Sequence, residues 1–285
     1  MNNKIEYKNN IQIVTKENKK YIKLKGDNTK EELYDYLSSK NFNNFFKPIE
    51  KTKDYKLYPF IENRTQDKEE RANELINIMS ELHNKTTSYK EINKLQIKKI
   101  YTNQKENLSS IRNYYFEIQD YFETKEFPSP EEQLLLNNIS NIYKAINYSE
   151  FKIDSWYEKI NKKNQCRYVQ LHNSLSLDNL LLDKNYYLIN WNNSEQNLPI
   201  YDFINLYKKE FNNLDMKKLF SNYQRKYKYS EEEQLLFESL LSIPPKIIFN
   251  KSHLINTIKT RQHLNYIELT SEFLKNDKEN QENNK

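Results

Sequence analysis

Two runs of alternating apolar and polar residues open the chain, in "IQIVTKENKKYIKLK", residues 11–25, with a polar turn between them. A period of two sends successive side chains to opposite faces, the pattern of an antiparallel hairpin with one face buried. "TKEELYDYLSSK" then places Thr29 and Glu32 at capping-box spacing and Leu33 and Leu37 on one face, which predicts a short helix. "FFKPIE" and "YKLYPFIEN" predict two more strands around a polar turn. From Asp67 the period changes. Ala72, Leu75, Ile76, Met79, Leu82 and His83 recur at helical spacing, and Ile111, Tyr114, Tyr115, Ile118, Tyr121 and Phe122 follow the same rule. "SPEEQLLLNNISNIYKAI" starts a further helix at Pro130, where the missing N–H removes no helical hydrogen bond, and "SWYEKI" closes it.

Beyond this helical stretch, "CRYVQL" predicts a strand, and "LHNSLSLDNLLLDKNYYLINW", residues 171–191, predicts loop, strand, turn and strand, with Asp183 and Lys184 in the turn. Four helical segments follow: "IYDFINLYKKEF", "MKKLFSNYQRKY", "SEEEQLLFESLL" and "SHLINTIKTRQHLNYIELTSEFL". Ser230 and Glu233 form a second capping-box signature, and Pro244 with Pro245 breaks the chain between the last two helices. No internal repeat of fixed period is visible. The pattern predicts an α+β protein with a small sheet-bearing lobe at 1–63, a helical lobe carrying a β-ribbon at 64–275, and a disordered tail at 276–285, where no apolar residue occurs.

Composition adjusts this picture in three places. Hydrophobic content of 36% and a mean hydropathy of -1.03 look low for a folded core, but 23 Tyr and 14 Phe supply bulky apolar area. The formal charge of +5 comes from interspersed signs rather than a block, so neither a nucleic acid nor a membrane is expected as a partner. The single cysteine, Cys166, fits a reducing compartment and reads as filler in its strand. With no secretory apolar segment and no long apolar run, a cytoplasmic location is expected. Four scattered His with no paired-ligand spacing give no support to metal chemistry, and no G-x-S-x-G supports a hydrolase.

The candidate chemistry lies between His172 and Asp202. "HNSLSLDN" runs from His172 to Asn179, "LINW" from Leu188 to Trp191, "LPIYDF" carries Tyr201 and Asp202, and "ELHNKT" carries Leu82 and His83. These elements and their separations resemble the bacterial aminoglycoside phosphotransferase and choline kinase-like superfamily, in particular its spore-coat (CotS-like) branch. There a loop H-G-D-x-x-x-x-N precedes a strand pair ending in an I-D-W-like triplet and a helix opening with a Tyr-Asp pair. The resemblance implies a two-lobed protein-kinase-like fold, with a β-rich N-lobe and a larger, mainly α-helical C-lobe.

Phosphoryl transfer in that fold needs an Asp to orient the acceptor hydroxyl and take its proton, an Asn and a second Asp to hold magnesium, and a Lys to grip the phosphates. Position by position, the Asn is Asn179, but Ser174 stands at the catalytic Asp and Asn190 at the metal-binding Asp. Losing a general base alone removes about 10²–10⁴ in rate. Lys25 matches the phosphate-gripping Lys of the third strand, Glu31 or Glu32 matches its helix partner, and Glu62 lies in the hinge-like "LYPFIEN". His172 and Asp202 match residues that brace the loop. The turn "TKENKK" has no glycine to bring backbone N–H groups to phosphates, and the one glycine, Gly26, follows the strand.

Retained bracing with absent carboxylates reads as a pseudokinase, a binding or scaffold module for a protein partner or a small molecule, with no cofactor expected and only weak binding of ATP and magnesium. The alternative is an active ATP-dependent phosphotransferase of a hydroxylated or amino small molecule, with a displaced base such as Asp178. A nucleic-acid-binding protein is the third reading, and it lacks a basic face in the linear sequence.

Overall fold

A computed structural model describes residues 5–8, 11–16, 19–25, 31–62, 67–250 and 252–282. Five strands near the N-terminus form one antiparallel sheet in the order β1 (Ile5–Lys8), β2 (Ile11–Lys16), β3 (Lys19–Lys25), β5 (Tyr55–Pro59), β4 (Glu50–Lys51). The expected hairpin is β2 and β3, with Val14 opposite Tyr21. Part of its turn (17–18), Gly26 and the cap residue Thr29 lie outside the described residues. Helix α1 (Glu31–Ser39) buries Tyr34 and Leu37.

"FFKPIE" does not form the expected strand. Phe45 makes a single parallel bridge to Leu188, and only Glu50 joins the sheet, with Lys51. Pro48 removes a ladder donor from this stretch, and its aromatic rings are used in packing instead. Phe45 stacks on Tyr34 at 5.2 Å, and both Phe42 and Phe45 meet Trp191 edge-on.

Contacts divide the chain into two compact units. The first comprises Met1–Ser88, Arg167–Glu210 and Lys218–Lys228, and the second Tyr89–Cys166, Phe211–Lys217 and Tyr229–Lys285. This division differs from the expected boundary after residue 63. Helix α2 (Lys68–Thr86) and the segment 167–210 belong with the sheet, because Arg71 and Asn44 hydrogen-bond into that segment. The segment holds most of β7 (Gln165–Leu171), the hairpin β8 (Leu180–Leu182) with β9 (Tyr186–Leu188), β10 (Glu195–Asn197), and α5 (Ile200–Glu210). β10 pairs antiparallel with β7, and most of α6 (Met216–Lys226) completes the unit. Asp183 and Lys184 lie between β8 and β9, as expected for the hairpin turn.

In the second unit α4 (Pro130–Ile160) packs against α3 (Lys94–Glu123), α7 (Glu231–Leu241) and α8 (His253–Glu282). Its buried stripe of Leu135, Ile142, Ile146, Ile153 and Trp156 has helical spacing, on a helix that starts at Pro130 as the sequence predicts. The Pro244–Pro245 break is held from α3, where Tyr115 donates to Pro245 O and Tyr114 to Ile247 O, each at 2.5 Å. Burial pushes both phenols above their ordinary pKa. β6 (Ser88–Glu91) was not foreseen, nor were β1 and β10. Cys166 is half-buried on β7. α8 runs to Glu282 and so includes much of the stretch from 276 expected to be disordered; 283–285 lie outside the described residues. Among the described residues no helix is long and apolar enough to cross a membrane.

The Ser230 capping box is present. Its hydroxyl accepts from Glu233 N at 3.3 Å, and the Glu233 carboxylate accepts from Ser230 N at 2.8 Å. Ser230→Ala should lower stability by about 1 kcal/mol. The shift of the urea midpoint at constant slope checks this, and an unchanged midpoint would mean that the cap contributes nothing.

Candidate functional site

β7 carries the chain into the interior through Val169, Gln170 and Leu171, then ends at His172. Asp202, in the first turn of α5, meets it there. One carboxylate oxygen accepts from His172 N at 2.9 Å and from the His83 ring at 3.1 Å, while the other accepts from Asn173 N at 2.7 Å. His83 also bonds the Tyr223 hydroxyl at 2.8 Å. Asp202 is fully buried, and burial alone would raise its pKa. The hydrogen bond and charge of His83, with the contacts from His172, outweigh burial and hold the carboxyl below its ordinary value. Position in the first turn of a helix favours the same ionised form.

The His172 ring is equally enclosed. Its Nδ1 accepts from Ser174 N at 3.3 Å and its Nε2 donates to Ile189 O at 3.0 Å, an arrangement that needs the neutral ring. Trp191 packs edge-on at 4.5 Å. Burial lowers the His172 pKa to about 4, although the Asp202 charge pulls the other way.

The loop that follows turns at Asn173, with φ 57°, and the strand after the hairpin turns at Asn190, with φ 67°. Asn is one of the few residues besides glycine that enters this left-handed region readily. Asn173 thus builds, without a glycine, the turn that the resembled motif makes with one. Asn179 Nδ2 donates to Ser174 O at 2.6 Å, Asn193 Nδ2 donates to Ser174 Oγ at 3.1 Å, and Ile189 N donates to Asn179 O at 3.0 Å. His172, Ser174, Asn179 and Asp202 are therefore joined in one hydrogen-bonded assembly, and Asn190 follows Ile189, whose backbone bonds to that assembly at both N–H and C=O.

Asn179 and Asn190 line a cavity of about 310 Å³ within the first unit. Ile22 and Leu24 of β3, Leu181 of β8 and Leu188 of β9 supply aliphatic lining, and Phe46 and Trp191 supply aromatic lining. Tyr34 and Tyr58, whose hydroxyls are 3.2 Å apart, and Asn192 add neutral polar groups. No described lining residue carries a charge.

The remaining expected site residues stand apart. In β3 the cavity face is occupied by Ile22 and Leu24, while the Lys23 ammonium lies 3.9 Å over the Tyr55 ring. Lys25 pairs through its backbone with Tyr55, and its side chain lies outside the described residues. Glu31 is not available to a β3 lysine, being bound to Lys51 at 2.8 Å. Glu62 is exposed and away from the cavity lining. Asp178 is exposed on the single 3-10 turn Leu177–Asn179, so it offers no base inside the cavity.

Magnesium, which the fold implies, does not fit the described residues of this cavity. Magnesium sheds water reluctantly and takes one or two carboxylates besides phosphate oxygens, whereas this cavity offers amides and phenols. Among the described residues, no group of three or more His, Cys, Asp or Glu is arranged so that it could hold a metal ion.

Sequence reasoning missed Arg71. Its guanidinium donates to Leu177 O at 2.7 Å and Leu180 O at 2.8 Å, fixing the turn that presents Asn179. The residue sits in "DKEERANEL", which resembles a solvated face; the available signal was that Arg71 precedes Leu75 by one helical turn.

Two outcomes test this architecture. Arg71→Met should cost about 2 kcal/mol, since two charge-assisted bonds to carbonyls are lost; denaturant titration reads it. For His172, the unfolded ring takes up a proton near pH 6.5 while the folded ring resists until about 4. Stability is therefore full above pH 6.5 and falls by about 3 kcal/mol as pH drops to 4. His172→Gln should flatten that part of the stability-against-pH curve, and an unaltered slope would refute the assignment.

No family model matches the sequence, and no curated protein matches it. Solved structures do match. An aminoglycoside phosphotransferase from Alicyclobacillus acidocaldarius aligns with a TM-score of 0.67 at 9% identity, over 96% of this chain and 92% of the other. A spectinomycin phosphotransferase bound to AMP aligns with a TM-score of 0.52 at 16% identity, over 91% and 90%. A choline kinase from Streptococcus pneumoniae aligns with a TM-score of 0.44 at 14% identity, over 95% and 91%. A small β-sheet N-terminal region followed by a larger helical part, with these neighbours, gives this chain the two-lobed protein-kinase-like fold of the aminoglycoside phosphotransferase structures.

Proposed function

We propose that this protein is a catalytically silent member of the kinase-like fold, a pseudokinase that works as a binding or scaffold module for a small molecule or a protein partner. The observation that supports it most is the pairing of an intact loop with neutral side chains. Asp202 still holds His172 and Asn173 in place, yet Ser174 and Asn190 stand where the resembled motif has its two carboxylates. A hydroxyl cannot take a proton near neutral pH, and an amide adds no charge to balance phosphates and metal. The spore-coat branch remains the resemblance of the motif spacing, and it bears on the partner rather than on the chemistry. An active phosphotransferase with a displaced base gains no support, because Asp178 faces solvent.

ATP titrated into the wild-type chain with magnesium should release no phosphate and show no magnesium-dependent heat. In Ser174→Asp, Asn190→Asp, two carboxylates return to an assembled loop, and magnesium-dependent nucleotide binding should appear in calorimetry. Magnesium-dependent turnover by the wild type would sink the proposal.

A further inference from the structure

We propose that the cavity between β3 and the β8–β9 hairpin takes an uncharged, planar ring compound bearing an N–H or O–H donor, in preference to any nucleotide. This deepens the reading of the chain as silent toward phosphoryl transfer and rests on it. Three observations carry it.

The first is charge. A phosphate chain placed here loses hydration and gains no cation among the described lining residues, and an unpaired buried charge is among the costliest groups to enclose. Among the described residues, the charged groups Lys23 of β3 and Glu31 of α1 are committed elsewhere. Alternation along β3 puts Ile22 and Leu24 on the cavity face and Lys23 against Tyr55. From α1 the cavity receives Tyr34 rather than a glutamate, since Glu31 is tied to Lys51.

The second is shape. About 310 Å³ lies at the lower end of small-molecule sites, enough for a fused two-ring system. Ile22, Leu24, Leu181 and Leu188 supply the cavity's aliphatic lining. Aliphatic walls with aromatic faces favour a flat apolar ring over a flexible polar chain.

The third is the polar end. Asn179 spends its Nδ2 on Ser174 O, and facing a carbonyl the amide must present nitrogen there. Its Oδ1 accepts no hydrogen bond among the described residues, although it belongs to a half-buried residue of the lining. A ligand N–H or O–H would satisfy that oxygen, and a site with such an acceptor discriminates against analogues that lack the donor.

The test uses the full wild-type chain and two matched pairs of probes, adenosine against ATP and 2-quinolone against N-methyl-2-quinolone, by calorimetry and by the indole N–H signals of the two tryptophans. Trp191 lines the cavity, while Trp156 belongs to the other unit; Trp156→Phe assigns the two signals. Adenosine should bind at least tenfold more tightly than ATP, with or without magnesium. The quinolone should bind at least fivefold more tightly than its N-methyl form, and the Trp191 signal should move while that of Trp156 stays.

Equal or tighter binding of ATP, equal binding of the two quinolones, movement of Trp156 alone, or no saturation by either neutral probe would each overturn the assignment. Phosphate release from the same ATP samples reports separately on catalytic silence. Release with the neutral preference intact removes the silent reading alone, and ATP preference without release removes the cavity assignment alone.

Discussion

A single carboxylate, that of Asp202, organises the assembly around which the first unit is built. It accepts two successive backbone N–H groups, from His172 and the half-buried Asn173, and the ring of His83; Asp202, His172 and His83 are themselves fully buried. Buried backbone donors must be paired, and a carboxylate pairs several at once because it is acceptor-only with about four lone-pair sites. From this point α2, β7 and α5 are fixed to one another: His83 belongs to α2, His172 follows β7, and Asp202 opens α5. Removing the carboxylate would leave the His172 N–H and the His83 ring unmet where they are buried, so the loop is held at this carboxylate.

On the reading proposed above, bracing and chemistry fall on different residues. Asp202, His172, Arg71 and Trp191 hold the loop through hydrogen bonds and ring contacts, whereas Ser174 and Asn190 stand where the resembled motif has its carboxylates. Apolar or neutral replacement of charged groups in an enclosed space is often neutral or favourable to folding, so neutral residues at those two positions need carry no folding penalty.

Much of this was legible in the sequence where the signal is local. The β2–β3 hairpin, the Ser230–Glu233 cap and the start of α4 at Pro130 follow from a period of two, from fixed capping spacing and from the place proline takes at a helix start. The loop from His172 to Asn179 was singled out by its spacing, and its residues hydrogen-bond to one another. What escaped depends on partners distant in sequence. β10 is the polar tripeptide Glu195–Asn197, a strand only because β7 offers it an edge. Phe45 and Phe46 have strand-like composition but are drawn into aromatic contacts with Trp191 and Tyr187. The nucleotide lysine was sought by letter in a lysine-rich strand, whereas the parity of Ile22, Lys23 and Leu24 already said which residues share a face.

The left-handed turn at Asn190 has a consequence for the charge of the cavity. Aspartate enters that region of backbone space about as readily as asparagine, so the peptide at this position would accept a carboxylate without moving. Asparagine and aspartate codons differ by one base. An acidic group at 190 is thus one base change away, at a backbone position that already accommodates it, so the charge of this corner of the cavity can be altered without rebuilding the loop around it.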